Sequence, residues 1–475
     1  MRHSPLCFRL LQLLLLIWFL GVTPVFAAKE STLPEPYECY RSFEEITSRM
    51  VELTNLYPGL VRLNTIGQTF EGRPIQILQL GMEVETTSSP RLVIVSGLRA
   101  NALTQAEINL SFAESLLDSY EKDANSRWLL EETAIHLLII ANPDGRLVAD
   151  QQAFAGITPT WTKNRHPSAC ANGNWGVALN LNFSYGWSVI EPNPCSAHYP
   201  GPSAASEPET IAIQNYLDQI LAENHNSSLV LDLQNNGDFL ITPFLYSSTA
   251  ENPYEHEFFM LANKLAYGTE AMPKYGSSLT IGITTGTLTD FAFGQLLAPS
   301  LQFNLGPDLA GGDITSCWYF EETLKPETLS ILFRAAKLAA DPLTQAQGPE
   351  IVFSSTEEDS FSVRVVGQAD DVSFYRTWLS PEDFSPLHHA AFSMDIPPWS
   401  LDAVMVPVVG QALPESPYVM EFQNTFSLVG ITPGRHMLYF QAWDTDPTGA
   451  AGNAGMINAI EINVPSFTFI PLLIR

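Results

Sequence analysis

Few of the residues that could bind a metal ion or act as a nucleophile have the spacing of a known metal site or catalytic motif in this sequence. His166 and His198 lie too far apart to show the spacing of metal ligands, and we expect both to be solvated loop residues. His388 and His389 are adjacent, and because side chains alternate along a strand, their rings are predicted to point to opposite faces. The sequence has no Gly-x-Ser-x-Gly elbow and no phosphate-binding loop, so it gives little support to another hydrolase chemistry.

Strands and helices alternate over the first two thirds of the chain. Strands are predicted at 60–66, 75–80, 91–96, 134–141, 228–233 and 301–305, and helices at 42–56, 105–120, 207–221, 255–266 and 326–338. This order predicts an α/β domain whose mixed, mostly parallel twisted sheet is flanked by helices. Ligands bind such sheets at the carboxyl ends of the strands, so the segments that follow the strands matter most for function.

The pattern changes near Asp341, where a linker-like stretch begins. Beyond it, residues alternate with period two at 351–353, 360–366, 373–379, 418–422, 436–443 and 457–464. Short strands at this spacing predict a C-terminal immunoglobulin-like β-sandwich. Asp444 and Asp446 lie in a loop between two late strands, and we interpret that loop as a turn rather than a calcium site.

The composition is that of a globular and strongly acidic protein. Hydrophobic residues make up 45% of the 475 residues and charged residues 16%, enough for a large core and two or three domains. Lys and Arg number 23 and Asp and Glu 51, which gives a formal net charge of −28. Such a surface repels nucleic acid and anionic lipid, so neither is an expected partner.

The N-terminus has the parts of a secretory signal peptide. Arg2, His3 and Arg9 flank the start of an apolar run at 10–22, and Val25-Phe26-Ala27 offers a small-residue cleavage site. A retained anchor is the alternative, but the run is shorter than the ~20 residues that a spanning helix needs. No later segment is long and apolar enough to span a membrane, so we expect a secreted or cell-surface protein.

Four cysteines remain after removal of the predicted signal peptide. An even number in an exported chain permits disulfides. Cys170 and Cys195 bracket a stretch rich in Pro, Gly and Asn, where a cross-link would restrain the loop. Cys39 with Cys317 is the remaining possibility, and the sequence alone leaves that pairing open.

Five segments in order resemble the zinc carboxypeptidase A family over about residues 37–340. They are Asn-Pro-Asp-Gly at 142–145, Trp-Thr-Lys-Asn-Arg at 161–165, Gly-Val-Ala-Leu-Asn-Leu-Asn-Phe at 176–183, Tyr-Pro-Gly-Pro at 199–202 and Ser-Glu-Pro-Glu-Thr at 206–210. The interval between Cys170 and Cys195 falls where many relatives carry a disulfide. The resemblance implies a secreted metallocarboxypeptidase fold with a zinc site.

The positions that the resemblance assigns to zinc hold other residues here. The family takes two ligands from a His-x-x-Glu turn and one from a later His that ends a strand, and leaves one position open for water. Arg99 stands at the first His position, Ala102 at the Glu position and Gln234 at the later His position. Arginine stays protonated, alanine has no donor atom, and an amide oxygen is a poor zinc ligand beside imidazole. We therefore predict that the family's zinc is absent.

The residues that the family uses on water and substrate are also replaced. Asn304 stands at the position of the catalytic base, and an amide cannot accept the proton of water at neutral pH. Thr162 replaces the arginine that polarises the scissile carbonyl, and Leu181 replaces the arginine that binds the terminal carboxylate, although Asn180 remains. The mobile tyrosine maps onto Gly282.

These replacements favour a catalytically inactive pseudoenzyme that binds a peptide or another extracellular ligand. The residues expected to line its cleft are Arg99, Asn180, Gln234, Asn235, Asp290 and Asn304. Arg99 suits an anion such as a peptide terminus, or it turns outward or forms an internal hydrogen bond. Asp290 lies near the family's specificity pocket, or it caps a helix. Two alternatives are an active metallocarboxypeptidase with displaced ligands and an extracellular adhesive or structural protein.

The predicted domain organisation follows from these patterns. It comprises a signal peptide (1–27), a linker (28–36), the carboxypeptidase-like domain (37–342), a second linker (343–350), the β-sandwich (351–466) and an apolar tail (467–475). The tail is interpreted as either a last edge strand or a sorting signal.

Overall fold

The protein is described by a computed structural model. The described residues are 33–82, 89–170, 173, 175–222, 227–276, 282–306, 316–359, 361–373, 384–413 and 416–466. The predicted signal peptide, the apolar tail and nearly all of the strand predicted at 373–379 lie outside them.

In the described part of the chain, the larger domain is built on an eight-stranded sheet. Its strands are β1 (Val61–Gln68), β2 (Pro74–Leu80), β3 (Arg91–Val95), β4 (Ala134–Leu138), β5 (Ser228–Asn235), β6 (Phe239–Thr242), β7 (Met272–Tyr275) and β8 (Ser300–Leu305), in the spatial order β1-β2-β4-β3-β5-β8-β6-β7. The central strands β4, β3, β5 and β8 run parallel, whereas β1, β2 and β6 add antiparallel pairs. The predicted mixed, mostly parallel sheet is confirmed.

Helices cover both faces of this sheet. They are α1 (Phe43–Leu56), α2 (Leu103–Ser119), α3 (Ala124–Glu132), α4 (Pro143–Phe154), α5 (Pro208–Leu221), α6 (Glu255–Ala266), α7 (Leu288–Leu296), α8 (Cys317–Tyr319), α9 (Lys325–Leu338) and α10 (Pro342–Gln345), with a π turn at Phe320–Leu324 between α8 and α9. Alternate residues of β3 enter two separate apolar clusters, Leu92 and Ile94 on one side and Val93 and Val95 on the other. This alternation is what a strand buried on both faces requires.

The smaller domain is a β-sandwich of two antiparallel sheets. Its strands are β9 (Glu350–Glu358), β10 (Ser362–Asp370), β11 (Leu387–Met394), β12 (Val406–Pro407), β13 (Gly410–Leu413), β14 (Ser416–Ser427), β15 (Gly434–Thr445), β16 (Ala451–Ala454) and β17 (Asn458–Val464). One sheet has the order β13-β14-β10-β9, and the other has β12-β11-β15-β16 with β17 also paired to β15. Val363, Val365, Phe422 and Phe440 pack between them. The predicted C-terminal β-sandwich agrees with this architecture.

The expectation that His388 and His389 point to opposite faces is wrong. The pairing of β11 with β15 shifts register between Leu387 and His389, which is the mark of a β-bulge. A bulge interrupts the alternation of side chains. As a result, the two rings meet, with their Nδ1 atoms 2.7 Å apart.

The two domains share one apolar core. Trp128 of α3 is 1% exposed and packs edge-on against Tyr439 of β15, with 6.4 Å between the ring centroids. The Arg127 guanidinium pairs with Glu461 of β17 at 2.9 Å. The segment predicted as the second linker contains the fully buried Ala346, and the carbonyl of Gly348 accepts a hydrogen bond from the buried Lys264. That segment is therefore packed into the junction and is not a free spacer.

Both cysteine pairs are bonded in the structure. Cys170 joins Cys195, and Cys39 joins Cys317 across 278 positions of sequence. The second bridge fastens the start of the described chain to helix α8. None of the helices in the described part of the chain has both the length and the hydropathy that a membrane crossing requires.

Candidate functional site

The candidate cleft lies at the carboxyl ends of β3, β5 and β8. Gln234 of β5 and Asn304 of β8 are direct neighbours in the parallel register, as expected for two strands that end at the same edge. The Gln234 amide donates to the Asp232 carboxylate at 2.7 Å, and the Gln302 amide donates to Asn304 at 2.8 Å. Each amide therefore has a partner on its own strand, two residues away.

The next residue along β5 is also held from inside the protein. Asn235 accepts a hydrogen bond from Gln105, which lies in the first turn of α2. The structure thus brings three of the predicted cleft residues, Gln234, Asn235 and Asn304, to one edge of the sheet. Their amide groups both donate and accept hydrogen bonds, so they can bind peptide groups if the internal bonds are exchanged.

Arg99 and Ala102 occupy the loop between β3 and α2. The loop bends so that the Ala102 N–H donates to the Arg99 carbonyl at 3.1 Å. Arg99 is half-buried, and it already takes part in interactions within the protein. Ala102 is 1% exposed and immediately precedes helix α2. Its methyl group adds no polar atom to the cleft.

The residues present do not fit a zinc ion at the family position. A guanidinium, a methyl group and a carboxamide supply no imidazole, thiolate or carboxylate donor. Asp232 is the nearby carboxyl group on β5, but it is 1% exposed. Burial raises the pKa of Asp232 to about 7, and the hydrogen bond from Gln234 opposes that rise. A buried carboxyl group that tends to hold its proton is a poor ligand for a cation.

The positions for substrate recognition are occupied by small or apolar side chains. Thr162 is half-buried, and its carbonyl accepts from the Ala100 N–H at 3.1 Å. Leu181 is 6% exposed, while its neighbour Asn180 is half-buried in a single 3₁₀ turn. Gly282 is exposed and has a φ of 75°, a backbone conformation that favours glycine over tyrosine.

Asp290 does not line the cleft, which corrects one of the sequence predictions. Its side chain is fully buried, and its carboxylate accepts from the backbone N–H groups of Leu245 at 2.9 Å and Tyr246 at 3.0 Å. The Asp290 N–H in turn bonds to Thr287, the N-cap of α7, at 3.1 Å. Burial raises the pKa of Asp290 to about 7 against these hydrogen bonds. The residue holds a loop in place and is not open to a ligand.

A second group of polar residues, buried in the segment from 164 to 209, forms a hydrogen-bonded network. Asn164 is fully buried and donates to Glu207 at 2.7 Å and to Glu209 at 3.2 Å. Its side-chain oxygen accepts from the Val177 N–H at 2.8 Å. Asn182 donates to the Pro200 carbonyl at 2.8 Å, which fixes the loop that leads to α5. We call Asn164, Asn182, Glu207 and Glu209 the framework network.

His166 belongs to the edge of this network, so the expectation that it is simply solvated is wrong. Its Nδ1 atom lies 2.9 Å from the Glu207 carboxylate, and its ring stacks on Phe70 with 4.5 Å between centroids. Burial raises the pKa of Glu209 to about 7. The motifs quoted from the sequence contain Asn164, Asn182, Glu207 and Glu209, but their spacing alone did not reveal that they contact one another.

Comparison with known proteins agrees with this architecture. The family model for zinc carboxypeptidases matches residues 46–329, more than half of the chain. Carboxypeptidase O of Bos taurus is 26% identical over 272 residues, covering 54% of this chain and 67% of that protein. Carboxypeptidase A1 of Rattus norvegicus is 28% identical over 284 residues, covering 57% and 63%. The chain therefore spans about two thirds of the length of these curated relatives.

Solved structures with the same fold include two carboxypeptidase relatives. Bovine thrombin-activatable fibrinolysis inhibitor, in complex with tick carboxypeptidase inhibitor, superposes with a TM-score of 0.55 at 21% identity, covering 63% of this chain and 97% of that one. Carboxypeptidase A from Helicoverpa armigera gives 0.54 at 22% identity, covering 63% and 73%. At these identities the structures support the fold alone. The fold, the ordered motifs and the family model together establish that this chain belongs to the zinc carboxypeptidase family.

Proposed function

We propose that this chain is a secreted, non-catalytic member of the family that binds a peptide or another extracellular ligand in the cleft. The observation that carries the proposal is the set of residues at the four chemical positions: Arg99, Ala102, Gln234 and Asn304. Three of them replace metal ligands and the fourth replaces the base. The apolar N-terminal segment and the two disulfides support export.

The missing groups are those on which hydrolysis depends. A zinc ion would polarise the scissile carbonyl and lower the pKa of bound water, and each such effect contributes several kcal/mol to catalysis. Asn304 cannot take a proton from water, because an amide is not basic at neutral pH. Thr162 in place of the carbonyl-polarising arginine removes a further source of charge stabilisation. We therefore expect no carboxypeptidase activity above background.

The cleft retains groups suited to binding. Gln234, Asn235 and Asn304 present amides at one edge of the sheet, and Arg99 lies on the adjoining loop. Amides suit the peptide backbone, and a guanidinium suits a terminal carboxylate. Because these groups already have partners within the protein, a ligand has to exchange hydrogen bonds rather than add them. We expect a moderate affinity that depends on good geometry.

The first experiment measures metal content and activity on the mature protein. Inductively coupled plasma mass spectrometry after incubation with zinc and dialysis should find no stoichiometric zinc. A panel of peptides with basic, aromatic and aliphatic C-termini should remain intact by mass spectrometry. An active zinc carboxypeptidase treated in the same way is the positive control. One zinc per chain together with release of C-terminal residues would instead establish an active enzyme with displaced ligands.

The second experiment asks whether the cleft recognises a terminal carboxylate. Isothermal titration calorimetry should compare peptides that differ only in a free or an amidated C-terminus. We expect the free acid to bind more tightly, and Arg99→Ala to remove the difference between the two peptides. Asn304→Ala is the matched control, since it alters the same cleft without removing the positive charge. Equal affinities for both peptides would rule out the role of Arg99.

A further inference from the structure

The bulge in β11 creates a pair of imidazoles in the β-sandwich, far in sequence from the cleft. His388 is exposed and His389 is half-buried. Their Nδ1 atoms are 2.7 Å apart, and the ring planes are nearly perpendicular, at 80°. At this distance one nitrogen donates its hydrogen to the lone pair of the other.

Packing holds one of the two rings in place. His389 lies flat on the indole of Trp443 in the neighbouring strand, with 4.7 Å between centroids and 6° between planes. The two residues are direct partners in the ladder between β11 and β15. A ring that packing already holds in one orientation loses little conformational freedom when it binds an ion.

We propose that His388 and His389 form a two-imidazole site for a divalent transition-metal ion, and that copper(II) is the preferred ion. On binding, the donated hydrogen leaves Nδ1, each ring carries its hydrogen on Nε2, and both Nδ1 lone pairs face the metal. Among the described residues, no third His, Cys, Asp or Glu joins the pair to make a cluster. Water therefore completes the coordination.

The separation of the two nitrogens distinguishes between ions. With metal–nitrogen bonds of about 2.0 Å, two ligands at a right angle lie about 2.8 Å apart, whereas two ligands at a tetrahedral angle lie about 3.3 Å apart. The two nitrogens are 2.7 Å apart in their hydrogen bond, so once the rings turn their lone pairs toward an ion they would separate by only about 0.1 Å for the right angle of a tetragonal site, against about 0.6 Å for a tetrahedral one. Copper(II) and nickel(II) adopt that geometry with nitrogen ligands, and copper(II) binds more tightly. Zinc, which prefers a tetrahedral arrangement, should bind less well.

The test is titration of the mature, metal-free protein with copper(II). We expect one ion per chain, an electron paramagnetic resonance spectrum with coupling to two equivalent imidazole nitrogens, and quenching of Trp443 fluorescence by the adjacent ion. His388→Ala and His389→Ala should each abolish the two-nitrogen signal. His256→Ala removes an exposed histidine of the larger domain and should leave that signal intact. Trp443→Phe should retain the resonance signal and lose the quenching.

The result that overturns the proposal is a wild-type spectrum without two-imidazole coupling. Copper that binds equally well to the double variant His388→Ala/His389→Ala would overturn it too, because that copper occupies another site such as the N-terminal amine. The wild-type spectrum answers the question even if a variant folds poorly. A preference for zinc over copper(II) in competition would contradict the tetragonal geometry.

Discussion

The framework network and the cleft edge make opposite use of similar side chains. In the framework network, Asn164 links Glu207 and Glu209 in a site that is entirely buried. At the cleft edge, Gln234 and Asn304 each bond to a residue two places earlier on the same strand. The hydrogen bonds of the framework network join distant segments of the chain, whereas those of Gln234 and Asn304 stay within a single strand. The same amide chemistry therefore has a large structural role in one place and a small one in the other.

This difference explains which parts of the family pattern remain. A buried polar group needs its partner to avoid a large desolvation cost, so a change in the framework network lowers stability whether or not the protein is an enzyme. The cleft positions depended on a partner from outside the chain, either zinc or substrate. Without the need for catalysis, residues there can change provided that their own hydrogen bonds are met. Under the proposed non-catalytic function, the framework network would keep the fold while the residues of the cleft are free to change.

The sharpest test of this difference is Asn164→Ala. The change removes one donor from each of two buried carboxyl groups and the acceptor of the Val177 N–H, and we expect the free energy of unfolding to fall by about 4 kcal/mol. Asn304→Ala is the matched control in the cleft and should cost about 1 kcal/mol or less, since it removes one half-exposed hydrogen bond. Urea unfolding followed by tryptophan fluorescence measures both. Equal losses for the two variants would contradict the comparison.

A second test uses the pH dependence of stability at Asp232, the buried carboxyl group below the cleft edge. Burial raises its folded pKa to about 7. The folded chain therefore binds this proton more tightly than the unfolded chain, so the contribution to stability is complete below about pH 4 and is lost as the pH rises to about 7. Asp232→Asn removes the titration. Between pH 4 and pH 8 the variant should gain about 4 kcal/mol relative to wild type.

Urea unfolding at four or five pH values across that range measures the difference. Glu44→Gln, a change to an exposed carboxyl group in the first turn of helix α1, is a suitable comparison because it is not buried in the core. Parallel stability profiles for wild type and Asp232→Asn would show that Asp232 is ionised in the folded protein throughout.

The smallest effect is expected at Gly282, the position of the family's tyrosine. An added Cβ would meet no atom within 4 Å, so only the positive φ of 75° opposes Gly282→Ala. We expect a cost of about 1 kcal/mol. Gly176→Ala is the counterpart beside the framework network, where the new Cβ would collide with the Asn164 carbonyl. It should cost several times as much, and thermal unfolding of both variants would show whether the ratio holds.

The sequence predicted most of the larger domain because its strands and helices have local hydrophobic patterns and the family motifs occur in the expected order along the chain. The buried strands at 91–96 and 228–233 appear close to their predicted bounds, and Ser42 caps α1 with a complete capping box. Helices α3 and α4 were not predicted. In α4, Asn142 caps the first turn and Pro143 begins the helix, a signal that the sequence contains but that was interpreted only as a family motif.

The arrangement of the candidate site was less predictable, because it depends on contacts between distant residues. The placement of Gln234 beside Asn304 follows from parallel strands that end together, and this was anticipated. The burial of Asp290 under the backbone of Leu245 required the tertiary fold. The meeting of His388 and His389 depends on one extra residue in a strand, a register change that alternation of side chains cannot reveal.

The shared core between the domains has a consequence for how the molecule unfolds. Trp128 and Tyr439 belong to different domains but to one continuous apolar cluster, and the buried Lys264 lies 3.7 Å from Glu350 at the start of the sandwich. Cutting the chain at the junction would expose this cluster and leave buried charges without partners. The two domains should therefore melt in a single cooperative transition. We therefore expect that the sandwich cannot be separated from the larger domain unless the residues at the junction are redesigned.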